Sequence, residues 1–200
     1  MLRFHQVQEY ISSSDGTIIV DLAGYANNLL ISNSFTIKIH YNTPYIMNQM
    51  GDDNKITTTS ELKEVISTLE PDEILTLTDN ITHDLTAPIP INKKVVIKSD
   101  TSVTFTPATG IKSNIFTVDD NYSLTLENLI FDGINDTENG GVIYNKGITN
   151  LNNIRFSNCQ ATGYGGCIYN EYGEVHTENC TFTNCTAKDG AGIYNAGDTE

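Results

Sequence analysis

The chain has 200 residues, 38% of them hydrophobic, and its 11 Lys and Arg against 25 Asp and Glu leave a net charge of −14. The few basic residues never cluster, so the counterion release that drives nucleic-acid binding is missing, and nucleic acid is excluded as a partner. The apolar content excludes an acidic disordered tail, and no stretch approaches the roughly 20 consecutive apolar residues of a membrane span, so no membrane insertion by this segment is expected.

In chain order, the first ten residues (MLRFHQVQEY) lack the apolar run of a secretory signal, so no export address is expected in the chain as given. Residues 1–50 read as a short β segment of unknown role: Phe35, Ile37, Ile39 and Tyr41 alternate as one strand, and Gly16 to Leu22 suggests another. Residues 51–57, opening with Gly51-Asp52-Asp53-Asn54-Lys55, read as a linker. Residues 58–70 predict the single helix of the chain. Leu62, Val65, Ile66 and Leu69 share one face, Thr58 and Glu61 form a capping box, and Pro71 enforces the stop. An open β-solenoid end exposes core and strand edges, so this helix is expected to be an N-terminal cap. Beyond it, Glu73–Asp79, Lys94–Lys98, Val103–Thr106, Ile115–Val118 and Ser123–Leu126 all alternate as strands.

The second half of the chain repeats. Ile-Tyr-Asn occurs at Ile143, Ile168 and Ile193, 25 residues apart each time, within GGVIYN, GGCIYN and GAGIYN. A second string interleaves with it: Asn128-Leu129-Ile130-Phe131, Asn153-Ile154-Arg155-Phe156 and Asn179-Cys180-Thr181-Phe182, spaced 25 and then 26. Within one period the apolar residues alternate, and each short run ends at Asn or Gly, which tolerate the left-handed backbone of a tight turn. Three short strands, with turns near Gly147, Asn153 and Cys159 to Gly165, fill one coil, and stacking such coils sets equivalent residues about 4.8 Å apart.

The predicted fold is therefore all-β: a right-handed parallel β-helix over residues 71–200. It is expected to continue past the given C-terminus, because Asp198-Thr199-Glu200 follows a repeat string directly. Phe131, Phe156 and Phe182 should stack inward beside Leu129, Ile154 and Cys180, and Ile143, Ile168 and Ile193 should form a second apolar row. Asn128, Asn153 and Asn179 should form an amide ladder at a turn, satisfying groups that would otherwise be buried unpaired. Strand parity turns Tyr144, Tyr169 and Tyr194 outward.

These residues carry a resemblance. Gly-Gly before Ile-Tyr-Asn, alternating with Phe156-Ser157-Asn158 and Phe182-Thr183-Asn184, resembles the adhesin-like β-helix proteins of methanogenic archaea and the polymorphic outer membrane protein repeats of chlamydiae. Thr58 to Gly133 resembles the capping helix and first coils of the pectin-lyase-like superfamily. The resemblance covers about two thirds of the chain. It implies a secreted or surface-displayed protein that works by contact with a host or neighbouring cell surface, through a glycan or protein ligand, without catalysis or cofactor.

A polysaccharide-active hydrolase, the main rival, needs two carboxylates about 6.5–9.5 Å apart. Asp119-Asp120 is the only adjacent pair of aspartates in the solenoid, and it reads as a solvated turn. Arg155, the single arginine there, has no acidic cluster at its strand phase, as a β-eliminating lyase would need. Cys159, Cys167, Cys180 and Cys185 are spaced 8, 13 and 5 apart, which lacks the paired Cys-x-x-Cys of zinc sites; no metal is expected. Cys159 and Cys185 occupy equivalent places in successive coils and could form a disulfide, with buried free thiols the simpler reading. His83 and His176 are expected to face solvent. Asp132, Asn135, Asp136 and Glu138 crowd one loop, which leaves calcium there as a minor alternative, though the spacing does not match an EF-hand. Asn80, Asn121, Asn135, Asn179 and Asn184 each begin an Asn-x-Ser/Thr string. The tyrosine row, with Tyr164 and Tyr172 nearby, is the candidate binding surface, because stacked rings form a flat platform for sugars or a protein face. A structural spacer that holds another module away from the cell remains the third alternative.

Overall fold

A computed structural model describes the backbone of three strands, Phe4–Ile11, Ile18–Ala26 and Leu29–Ile37, and then residues 55–70 and 73–197. The three strands form an antiparallel sheet in chain order. The alternation at Phe35 and Ile37 thus belongs to a strand that begins at Leu29. The strand Phe4–Ile11, whose sequence mixes Gln and Glu with its apolar residues, has no clear alternation to announce it. Ile39, Tyr41 and Pro71 lie outside the described residues, as do residues 51–54 of the expected linker and residues 198–200.

The rest is a parallel β-solenoid of about five turns. One face is a sheet of five strands, Ile89–Ile91, Phe116–Val118, Ile143–Asn145, Ile168–Asn170 and Ile193–Asn195, each paired in parallel with the next turn. The other two faces are carried by a bent sheet. Its longest strands, Val95–Pro107 and Ser123–Asp132, each cross a corner where the sequence pattern suggests a break between two strands. Later turns split there, into Ile148–Asn152 and Arg155–Ser157, then Glu174–Glu178 and Thr181–Thr183. The corner residues Asn128, Asn153 and Asn179 have φ of 55°, 54° and 53°, and Asn158 and Asn184 turn a second corner at 54° and 53°. Asn is the side chain that tolerates this region best after Gly. At the third corner only Gly serves: Gly165 has φ +67°, and a Cβ there would lie 2.1 Å from the Ile168 carbonyl oxygen.

Alternation turns one residue in two inward, so the core is a set of rows. The phenylalanine row holds and extends one turn further towards the helix, through Phe105, Phe131, Phe156 and Phe182, with ring centroids 4.9, 5.4 and 5.0 Å apart. Leu129 and Ile154 are buried beside it and Cys180 is half-buried, and Ile143 and Ile168 form the second row with Ile193 half-buried.

The helix spans Thr59–Thr68, with both arms of the Thr58–Glu61 capping box in place. Leu62, Val65, Ile66 and Leu69 are buried in the same core as the first turns. The helix has no basic residue in its last turn. Lys93, from the first turn of the solenoid, supplies that charge by donating to the carbonyls of Ser67 and Leu69 at 3.2 and 2.8 Å. At the other end, Asp84 accepts from the Ser60 amide and the Thr59 hydroxyl, both at 2.9 Å. His83 is a correction: it is 1% exposed, bonded to the Ser113 carbonyl at 2.8 Å and to the Thr59 hydroxyl at 3.0 Å. It falls on the inward phase of the strand Ile81–His83, a position that a solitary His in a polar-looking Thr-His-Asp string does not announce. His176 is exposed, 3.1 Å from Glu174.

Candidate functional site

Each Ile-Tyr-Asn strand buries its Ile and its Asn and leaves the Tyr half-exposed, except in the last turn, where the edge strand is less covered. Tyr144, Tyr169 and Tyr194 therefore line up on the outer face of the five-stranded sheet. Their centroids are 5.0 and 5.7 Å apart, and the Tyr169–Tyr194 pair is stacked at 6°. Tyr164 joins from the preceding corner, 4.7 Å from Tyr194 and 6.5 Å from Tyr169. Lys146 lies 5.8 Å from the Tyr144 centroid and Lys188 5.2 Å from that of Tyr164. Two cations thus flank four rings in a protein of net charge −14. Sequence reasoning does not single out either lysine; the signal available is only its place near a Tyr in the repeat phase.

Burial raises Tyr144 and Tyr169 above the usual value, with Glu171 adding to the effect. At Tyr172 the cause is a hydrogen bond donated to Asp120 at 2.9 Å. Tyr172 is exposed and engaged with Asp120, away from the ring contacts that join the other four. The bond from Lys188 to the Tyr164 hydroxyl, at 3.3 Å, raises the lysine.

The other candidates take different places. Asp119 and Asp120 lie on a turn closed by the Tyr122 amide on the Asp119 carbonyl, with Asp120 exposed. Arg155 is exposed on its strand. Asp132 accepts from Asn158 of the next turn at 2.7 Å, while Asn135 donates to the Gly133 carbonyl and Asp136 accepts from the Thr137 amide within their own turn. Burial raises the Asp136 carboxyl.

The amide ladder expected at Asn128, Asn153 and Asn179 exists in part but is not the buried one. Asn153 donates to Asn128 at 2.6 Å and Asn128 to the Ser99 carbonyl at 2.9 Å, on an outer edge. The buried ladder is made by the last residue of each Ile-Tyr-Asn. Asn145 donates to Asn170 at 2.7 Å and Asn170 to Asn195 at 2.8 Å, and Asn145 and Asn170 are 0% and 4% exposed. All four cysteines are free. Cys159 and Cys185 are stacked as expected, but it is the sulfurs of Cys167 and Cys185 that meet at 2.9 Å, a pair that the stacking argument does not include.

No family model, curated protein or solved structure matches the chain.

Proposed function

We propose that the solenoid is a non-catalytic, adhesin-like segment, displayed outside the cell, that makes contact with a glycan or protein on a neighbouring surface through the tyrosine patch. The observation that carries this reading is the continuous patch formed by Tyr144, Tyr169, Tyr194 and Tyr164, with Lys146 and Lys188 at its margins. Ring faces suit the apolar faces of sugars, while phenol hydroxyls and ammonium groups can donate to their oxygens. The rings are half-buried and braced by one another, so little side-chain freedom remains to be lost on binding. The likeness of the repeat strings to adhesin-like and pectin-lyase-like β-helix proteins points the same way.

The test is a glycan array and immobilised cell-wall polymers probed with the wild-type chain and with Tyr169→Ala plus Tyr194→Ala. Adhesion through this patch predicts retention by some ligand and a loss of about tenfold or more in the double variant, a difference of about 1.4 kcal/mol. A spacer binds nothing in either form. Release of reducing sugar from the same polymers would replace the adhesive reading with an enzymatic one.

A further inference from the structure

Three of the four cysteines converge inside the last turns of the solenoid. The Sγ atoms of Cys159, Cys167 and Cys185 all lie within 4.8 Å of one another. Two inward rows meet there. Backbone pairing places Ile134, Cys159 and Cys185 at equivalent positions of successive turns, and likewise Val142, Cys167 and Gly192. Where one turn packs two branched aliphatic side chains, the next two turns therefore carry three thiols and a glycine. Cys159 and Cys167 are fully buried, and Cys185 is half-buried.

We propose that this trio is a binding site for one soft, three-coordinate metal ion of the Cu(I) type. Thiolates select soft ions. Metal–thiolate bonds of about 2.3 Å place three sulfurs about 4.0 Å apart around an ion in their plane. That spacing falls between the 2.9 Å of the Cys167–Cys185 edge and the 4.8 Å limit of the triangle. Loading opens the short edge by about 1 Å, within the reach of small χ1 rotations. Among the described residues no His, Asp or Glu joins the trio, so the closed four-ligand set of a structural zinc site is not formed.

The surroundings favour a cation over bare thiolates. The Cys159 sulfur faces the carbonyls of Phe131 and Ser157, and the Cys185 sulfur those of Phe156 and Thr183. Carbonyl oxygens accept from thiols and attract a cation, but repel a naked thiolate. Separately from those carbonyls, the bond to Cys167 pushes the Cys159 thiol up to about 12, and the bond to Cys159 raises the Cys185 thiol. At Cys167 the bond to Cys159 lowers the thiol, but burial and Cys185 outweigh it and leave the group raised. An incoming ion must displace thiol protons, so uptake weakens as pH falls. Cys180 stands apart: it occupies the row of Leu129 and Ile154 and donates to the carbonyls of Leu151 and Glu178.

The test uses the whole chain, reduced and oxygen-free, offered Cu(I) as its acetonitrile complex against a chromophoric Cu(I) chelator, with native mass spectrometry as the readout. One copper per chain is expected. Cys159→Ser, Cys167→Ser and Cys185→Ser should each lower its retention at least tenfold, while Cys180→Ser leaves it unchanged. A readout without substitution guards against misfolded variants: Cys159 and Cys167 are buried already, so copper loading should slow alkylation of half-buried Cys185 relative to the unloaded chain and leave that of Cys180 unchanged. Failure to take copper from the chelator, equal loss with Cys180→Ser, or alkylation of Cys185 at the same rate with and without copper would each overturn the site. None of these outcomes depends on the adhesive reading.

Discussion

Asn145 and Asn153 occupy the same kind of short string and do opposite jobs. Asn145 is buried, donates to the carbonyls of Gly147 and Glu174 as well as to Asn170, and accepts from the Thr149 hydroxyl at 2.8 Å. Asn145→Ala removes a hub and leaves several buried polar groups without partners, each costing about 1–3 kcal/mol. Its loss should lower the urea midpoint by the equivalent of about 3 kcal/mol without changing the m-value, and a drop under about 1 kcal/mol would mean that water replaces the amide. Asn153 sits exposed at a φ of 54°, so its role is conformational. Asn153→Gly should be nearly neutral, and Asn153→Ala should cost about 1–2 kcal/mol, the penalty of a Cβ in the left-handed region. The two amides are told apart only by strand phase: one is the third residue of a strand whose first residue faces the core, the other lies in the corner between strands.

The helix and the strand Ile81–His83 form one joint. Thr59 and Ser60, the first residues of the helix, bond to His83 and Asp84. The Ser113 carbonyl can only accept, so the His83 Nε2 carries the proton there; the Nδ1 of the neutral ring then only accepts and competes with Asp84 for the one proton of the Thr59 hydroxyl. Burial holds His83 below its usual 6.5. Burial pushes the Asp84 carboxyl up, but the hydrogen bonds from Ser60 and Thr59 together outweigh it and hold the group below 3.8. An unfolded chain takes up a proton on His near pH 6.5 and the folded chain resists it, so this contribution is complete above about pH 6.5 and is lost as pH falls below it. Asp84 acts in a lower window: its contribution is present above its usual value and is lost as pH falls through its depressed one. Between about pH 7.5 and 5.5 the unfolding midpoint should therefore fall; His83→Gln should flatten that slope, whereas Asp84→Asn, which removes a charge that favours the imidazolium, should not flatten it. An unchanged slope in His83→Gln would assign the pH dependence to other groups. The helix also packs on the strand Ile81–His83 and shares its core with Leu75, Leu77 and Ile81. Removing residues 58–70 uncovers that apolar surface and should drive the chain into aggregate on size exclusion. A truncated chain that stays soluble and unfolds cooperatively would remove the capping role.

A solenoid is held together turn by turn, since each turn packs only on its neighbours. Phe131 is fully buried between Phe105 and Phe156, whereas Phe182 in the last turn is half-exposed. Phe131→Ala should cost about 3–5 kcal/mol and Phe182→Ala clearly less, read from urea midpoints. Equal losses would mean that the last turn is covered in solution, by another copy or by a ligand.

Much of this architecture is legible in the one-dimensional string. Period, alternation and corner residues all act between near neighbours or between identical phases of a repeat, so a regular stack follows without coordinates. The phenylalanine and isoleucine rows, the outward tyrosines and the capping box come from that regularity. The long bent strands escape it because a single left-handed residue turns a corner without ending the strand pairing on either side. His83, the buried Asn145–Asn170 ladder and the convergence of Cys159, Cys167 and Cys185 escape it for a different reason. Each depends on what faces a side chain across the interior, between rows at different phases. Local periodicity determines which way a residue points; only the closed cross-section of the coil decides what it meets there.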